Sequence, residues 1–234
     1  MSVLGKLLYL YIVYNIQKLK LMINQESLKS KIIEALWELI IEGKIKPNEP
    51  MRETHLATLL NISRTPLREA LQQLEWEDIL VSEPRKGFKL AKYSEKDILE
   101  IYPLRARLES FALELSGIPT KQVIDRLIDI NSQITKAKSS KKIVALDERW
   151  HLLLISNCQN RRLLKMIKNL HRQSQRYEYA YMDMNNTIEK SIVQHENIIA
   201  HLQKNQLNKA IEMFAENNLV GVDSLINWLK QNTK

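Results

Sequence analysis

Two groups of side chains in this 234-residue sequence have the types and spacing to do chemistry. The first is the run Ser63-Arg64-Thr65-Pro66-Leu67-Arg68-Glu69-Ala70-Leu71. On a helix, Arg64 and Arg68 stand at i and i+4 and share one face, opposite Leu67, Leu71 and Leu74. A guanidinium fork matches the O6/N7 edge of guanine, or a phosphate, and the Thr65 hydroxyl can hydrogen-bond phosphate. The second is Leu146-Asp147-Glu148-Arg149-Trp150-His151-Leu152. Asp147 and His151 are again four apart, so one face can present a carboxylate oxygen and an imidazole to a single ion. His195, in Gln194-His195-Glu196, is a third candidate from a later segment.

The elements that must position the arginines can be read from periodicity and punctuation. Apolar residues at 28, 32, 36, 39 and 40 form a helical stripe that stops at Gly43, with Pro47 and Pro50 in the loop beyond. Glu53 to Leu60 reads as a short second helix with Leu56, Ala57 and Leu60 inward. Asn61-Ile62-Ser63 makes a tight turn, because Asn tolerates the left-handed region. Ser63 is the expected N-cap of a third helix through about Glu75, and Pro66 falls in its first turn, where a missing N–H costs nothing. Leu67, Ala70, Leu71 and Leu74 are its expected buried face. Leu80 to Glu83 and Phe88 to Leu90, around Pro84-Arg85-Lys86-Gly87, read as a β-hairpin. Two helices joined by a three-residue turn and followed by a hairpin make a winged helix-turn-helix, whose second helix enters the major groove. Two solvated arginines on an amphipathic helix would carry the same spacing; the turn, cap and hairpin around them favour nucleic acid.

From Ser94 onward there is no strand signal. Helical segments are expected at about 94–116, 120–138, 141–157, 160–183, 186–204 and 207–231, with breaks at Gly117-Ile118-Pro119, Ser139-Ser140 and Asn185-Asn186. The fold class is therefore mainly α: an N-terminal winged helix-turn-helix over 22–92, then an all-α bundle over 93–234.

Composition is that of a globular protein, with 44% apolar and 26% charged residues, and it excludes collagen-like, disordered and disulfide-scaffold classes. Five glycines, with neither a dinucleotide fingerprint nor a P-loop, argue against nucleotide-binding folds. Cys158 is the single cysteine, which rules out an intrachain disulfide and a cysteine-based zinc site and fits a reducing cytoplasm. The net charge of +8 is no argument for DNA, because residues 22–92 hold 11 basic and 11 acidic side chains. Any electrostatic footprint there must be local.

Leu7 to Ile16 is nearly all apolar, but ten residues are too few for a bilayer, which needs about 20. No small-residue cleavage site follows Ile16, and a helical pattern begins just after Met22. Met22 is read as the natural start and 1–21 as an extension; a membrane anchor and a docking helix are the other readings.

Residues 43–91 resemble the GntR-type winged helix. The resemblance rests on Gly43, Pro47, Leu56-Ala57, the run Ile62 to Leu71, Leu74 and the wing Arg85-Lys86-Gly87-Phe88. It implies operator contacts from Arg64 and Arg68, supported by Ser63 and Thr65, and a minor-groove contact from Lys86 beside Gly87. Many relatives carry a further DNA-contacting arginine in the second helix; here that position is Thr54.

Residues 94–230 resemble the ligand-binding FCD domain of the FadR-type branch, with Leu104-Arg105-Ala106-Arg107-Leu108-Glu109 similar to its opening helix. That resemblance implies a metal site built from an Asp-x3-His pair and two later histidines 22 residues apart. Asp147, His151 and His195 fill three positions, and the fourth is Asn217, a neutral carbonyl that is a weaker ligand for Zn or Ni than imidazole. Glu216 beside it points about 100° away on a helix. Three readings stay open: a weakened site with Asn217, a site completed by effector oxygens, or a site using hydrogen bonds only. Arg105 is the candidate counter-charge for a carboxylate effector.

His55 and His201 are expected on exposed faces, and the spacing of His171 supports no specific role. Tyr177, Tyr179 and Tyr181 alternate and cannot share one helix face. The reading is a ligand-responsive regulator, a repressor, binding double-stranded operator DNA as a homodimer, with a small carboxylate-type effector and a divalent metal. It is expected in the cytoplasm, without a membrane and without catalysis. The rivals are a DNA-binding protein whose bundle only dimerises and a metal-dependent hydrolase or lyase, which lacks an evident general base beside Asp147.

Overall fold

The computed structural model describes residues 28–47, 49–84, 86–181 and 185–232. The readings placed on 1–21, on Met22 and on Arg85 lie outside the described residues. The chain divides into two compact units after Lys92.

In the first unit, α1 (28–41) buries Ile32, Ile33, Leu36 and Ile40. Leu28, placed on that stripe by spacing, is instead exposed at its first turn. Gly43 ends the helix with φ +66°, a conformation costly for any side chain. β1 (Pro50–Met51) leads into α2 (Glu53–Leu59), and α3 (Arg64–Trp76) follows a turn in which Asn61 takes φ +51°. Ser63 stands in extended conformation at the N-cap, but its side chain makes no capping bond. Leu67, Ala70, Leu71 and Leu74 are all fully buried and meet Leu36, Leu56 and Leu80 in one core.

β2 (Leu80–Glu83) and β3 (Gly87–Leu90) pair antiparallel, Leu80 opposite Leu90 and Glu83 opposite Gly87. β1 adds a third strand on the other side of β3, with Met51 opposite Phe88. Gly87 has φ +88°, and a Cβ there would stand 3.3 Å from the Met51 carbonyl oxygen. A glycine is therefore required where the wing crosses β1.

The second unit is helical among the described residues: α4 (Glu95–Ser116), α5 (Lys121–Lys136), α6 (Ser140–Leu154), α7 (Arg161–Ala180), α8 (Asn185–Gln203), α9 (Leu207–Asn217) and α10 (Val222–Asn232). Side chains of Ser94, Thr120 and Asn160 cap α4, α5 and α7 by accepting from backbone N–H groups. The core gathers around Trp150, Leu127, Ile198 and Phe214.

One sequence expectation is corrected. The segment 207–231 is not one helix: the backbone turns at 218–221, where Gly221 takes φ +90° and Leu219 and Val220 donate back to Glu216 and Asn217. The apolar period runs on through the break, which the sequence marks only by Asn217-Asn218 and Gly221. The break puts Asn217 and Asn218 at a helix end, beside Val220 and Gly221 on the wall of a cavity.

Candidate functional site

Asp147 and His151 come from successive turns of α6, and His195 comes from α8. One ligand atom from each lies within 4.8 Å of the other two. His151 Nε2 and His195 Nε2 each stand 3.7 Å from an Asp147 carboxylate oxygen. Both rings are aimed from behind. His151 Nδ1 lies 2.6 Å from Glu109 Oε2, and an ionised carboxylate only accepts, so Nδ1 carries the proton. His195 Nδ1 donates to Asn131 Oδ1 at 3.1 Å, and Asn131 is held in that sense by its own amide donating to the Ile192 carbonyl. Each imidazole therefore turns Nε2 to Asp147, the arrangement by which outer partners fix the tautomer of a metal-ligating histidine. Trp150 stacks on His195 at 3.6 Å with the rings 6° from parallel, which locks its plane.

Electrostatics separate the two histidines. Burial pushes His195 down to about 3, and the Asp147 charge only partly opposes this, so the imidazole is neutral, as a ligand must be. Burial also opposes protonation of His151, but the charge and hydrogen bond of Glu109 outweigh it and raise the group above its ordinary range. Asn217, in the fourth position, turns its amide to Gln194 Oε1 at 3.0 Å and Ser191 Oγ at 3.3 Å. Its Oδ1 is buried with no hydrogen-bond partner among the described residues.

Behind the cluster, Glu109 is fully buried between α4 and its neighbours. Its carboxylate takes Arg105 Nε at 3.1 Å, His151 Nδ1, and the Asn218 amide at 3.4 Å. His171 Nε2 lies 3.0 Å from it without the alignment of a hydrogen bond. Burial would raise this carboxyl, yet His171, Arg105 and His151 hold it well below the usual range. Arg105 also donates through Nη1 to Ser174 at 2.8 Å and to Glu178 at 3.1 Å. These bonds leave Nη2 as the guanidinium nitrogen still able to meet a ligand.

A cavity of about 80 Å³ opens against this group, lined by Asp147, His151, Ser191 and Asn217. Arg105, Tyr102, Glu178 and Asn218 line it as well, with apolar residues that include Ile134, Val144 and Leu225. Space on the order of several waters suits a small ligand.

In the first unit, Ser63, Arg64, Thr65 and Arg68 are exposed on the first two turns of α3. Arg64 and Arg68 each lie 3.8 Å from the Glu53 carboxylate on α2, with side chains 67% and 63% exposed. At that distance and exposure the pairs are weak and leave both forks available to an incoming anion. Lys86 stands exposed at the wing, 3.5 Å from Glu83, and Thr54 is exposed on α2. The sequence matches the model of the bacterial regulatory proteins of the gntR family over residues 28–90 and that of the FCD domain over residues 100–216. The chain belongs to the GntR family.

Among the curated GntR relatives, the nta operon transcriptional regulator of Aminobacter aminovorans is 35% identical over 61% of this chain and 68% of its own. The HTH-type regulator YdhC of Bacillus subtilis is 31% identical over 58% of this chain and 62% of its own length. The HTH-type transcriptional repressor GlaR of Escherichia coli is 28% identical over 61% of this chain and 69% of its own. The chain thus spans roughly two thirds of these relatives. Among solved structures, E. coli McbR/YncC shares the fold with a TM-score of 0.71 at 20% identity, covering 86% of this chain and 98% of that one. A GntR regulator from Rhodococcus sp. RHA1 does so at 0.72 and 16%, with the same coverage. The three relatives and the Rhodococcus structure are named as transcriptional regulators or repressors.

Sequence reasoning quoted Glu109 without assigning it a role and left His171 without one, although the two meet at the centre of the bundle. The available signal was the Arg105–Glu109 spacing of four; a surface ion pair has the same spacing. His55 is exposed, whereas His201 is half-buried and paired with Gln206.

Proposed function

We propose that this GntR chain is a ligand-responsive repressor that grips double-stranded operator DNA through α3 and the wing and is tuned by a small carboxylate effector. Arg64 and Arg68 read base edges or phosphate, Ser63 and Thr65 fix the helix end on the backbone, and Lys86 beside Gly87 enters the minor groove. The fully buried face of α3 behind two exposed arginines supports this role.

In the helical unit, the observation that carries the proposal is a pair of histidines whose Nδ1 atoms are both committed and whose Nε2 atoms both face Asp147. The orphaned Asn217 Oδ1 adds a fourth donor atom, so the residues fit a divalent ion such as Zn or Ni. Asp147, His151, His195 and Asn217 would hold it, and when bound it would supply a Lewis-acidic anchor for a carboxylate. Arg105 Nη2 is the protein's own donor for that carboxylate. A two-fold operator requires a homodimer, and the exposed Leu104, Phe111 and Leu115 on α4 are the surface we assign to it. No described helix is long and apolar enough to cross a membrane; the cytoplasm is the site of action that the operator-binding proposal requires.

The test is operator release. DNA selected by the protein from a random pool is bound in the presence of Zn, and small organic acids are screened for release. The double variant Asp147→Ala/His151→Ala is expected to hold the DNA equally well and to lose the response. Release that persists in that variant contradicts the role of the cluster, and a protein that no acid releases is one whose bundle only dimerises.

A further inference from the structure

Two acceptor oxygens in the cavity lining, on Asn218 and Glu178, receive no hydrogen bond from the described residues. Asn218 is 4% exposed and donates its amide to Glu109 Oε2 and the Phe214 carbonyl, so its orientation is set by two acceptors. That leaves Asn218 Oδ1 buried without a donor among the described residues. Glu178 receives both Tyr102 and Arg105 on Oε1, which leaves Oε2 open on the cavity wall. The Arg105 guanidinium is shared between Glu109 and Glu178; Glu109 is also met by His151 and His171, whereas Arg105 is the one cation against Glu178 among the described residues. A buried acceptor left unmade is costly, and a ligand that brings the missing donor recovers that cost.

We propose that the effector carries an ammonium group beside its carboxylate, a zwitterionic amino acid, with the ammonium seated between Asn218 Oδ1 and Glu178 Oε2. The inference rests on the regulator reading above and adds the chemical class of its ligand. An ammonium has three donors and no acceptor, which is the complement of two acceptor oxygens, one of them a carboxylate's. The carboxylate then lies toward Arg105 Nη2 and the Asp147 cluster, and the apolar wall receives a short aliphatic side chain.

Matched triples test it by titration calorimetry on the full chain, Zn-loaded and chelated: L-alanine, L-lactate and propionate, and the same series on the valine frame. Within a triple only the α-substituent changes, from ammonium to hydroxyl to hydrogen. The amino member of at least one triple is expected to bind about tenfold or more tighter than the hydroxy member. Glu178→Gln should erase most of that preference, and Asn218→Leu should do the same. Because Asn218 also braces Glu109, the Glu178 variant is the decisive one. Equal binding across each triple, or no binding by any amino member, overturns the proposal. Operator release by lactate or propionate without gain from nitrogen overturns it while leaving the regulator reading intact. Tight amino acid binding that leaves operator affinity unchanged does the reverse.

Discussion

At the residue scale, His195 shows how burial sets chemistry. Its ring is fully buried against Trp150 and stays neutral down to about 3, whereas in an unfolded chain it takes a proton near ~6.5. The unfolded state therefore binds more protons below that pH, and stability must fall as pH falls through it. In chelated protein, thermal melts of the native chain and His195→Gln should converge on acidification. Between pH 6.5 and 5 the native chain should lose about 2 kcal/mol relative to the variant. A difference that stays constant with pH would mean that the imidazole is not held neutral. His151 works in the opposite sense: Glu109 raises it, so its contribution is complete below the unfolded value and is lost as pH rises through the folded one. Trp150, at zero exposure, is the plate on which the His195 ring rests. Trp150→Ala should cost about 3–5 kcal/mol in denaturant melts and weaken Zn binding by the same loss of order.

At the element scale, the winged helix was legible because its joints are chemically marked. Gly43, Asn61 and Gly87 all take positive φ, and each stood in the sequence as a residue that tolerates it. The buried face of α3 followed from spacing alone. β1 was not legible: it is two residues long and begins with Pro50, so neither alternation nor β-propensity could reveal it. Its consequence is the tight approach of Gly87 to the Met51 carbonyl. Gly87→Ala should destabilise the unit by about 1–2 kcal/mol through φ strain, and weaken operator binding further by displacing Lys86. In the bundle, helix identity was plain, but the division of α9 from α10 was hidden by a continuous apolar period. Asp147, His151 and His195 were placed correctly as neighbours because two share a helix face and the third follows a family spacing. Glu109 and His171 meet across 62 positions on different helices, and only packing can show that. Asn217 reads as a defective ligand in sequence, yet its free Oδ1 is an available oxygen in the fold.

At the scale of the whole molecule, the winged helix-turn-helix proposed to read DNA and the FCD domain proposed to read a ligand stand on one chain. An effector can move operator affinity only if it binds one arrangement of the protein better than another. The proposed two-fold operator, with half-sites about one helical turn of DNA apart, would call for two copies of α3, which is why a dimer surface is proposed on α4. Leu104 and Phe111 are seven apart on its exposed face, with the exposed Arg107 and Glu114 interleaved at the same spacing. Phe111→Glu should shift sedimentation from dimer to monomer and reduce operator affinity together; monomer behaviour in the native chain would refute that surface. The central claim is the grip of Arg64 and Arg68, and equilibrium anisotropy on DNA chosen by the protein itself measures it most directly. At physiological salt, Arg64→Ala/Arg68→Ala should bind about a hundredfold or more weaker, with a shallower salt dependence and an unchanged helical spectrum. A folded double variant that holds the same fragment as tightly as the native chain would contradict the account.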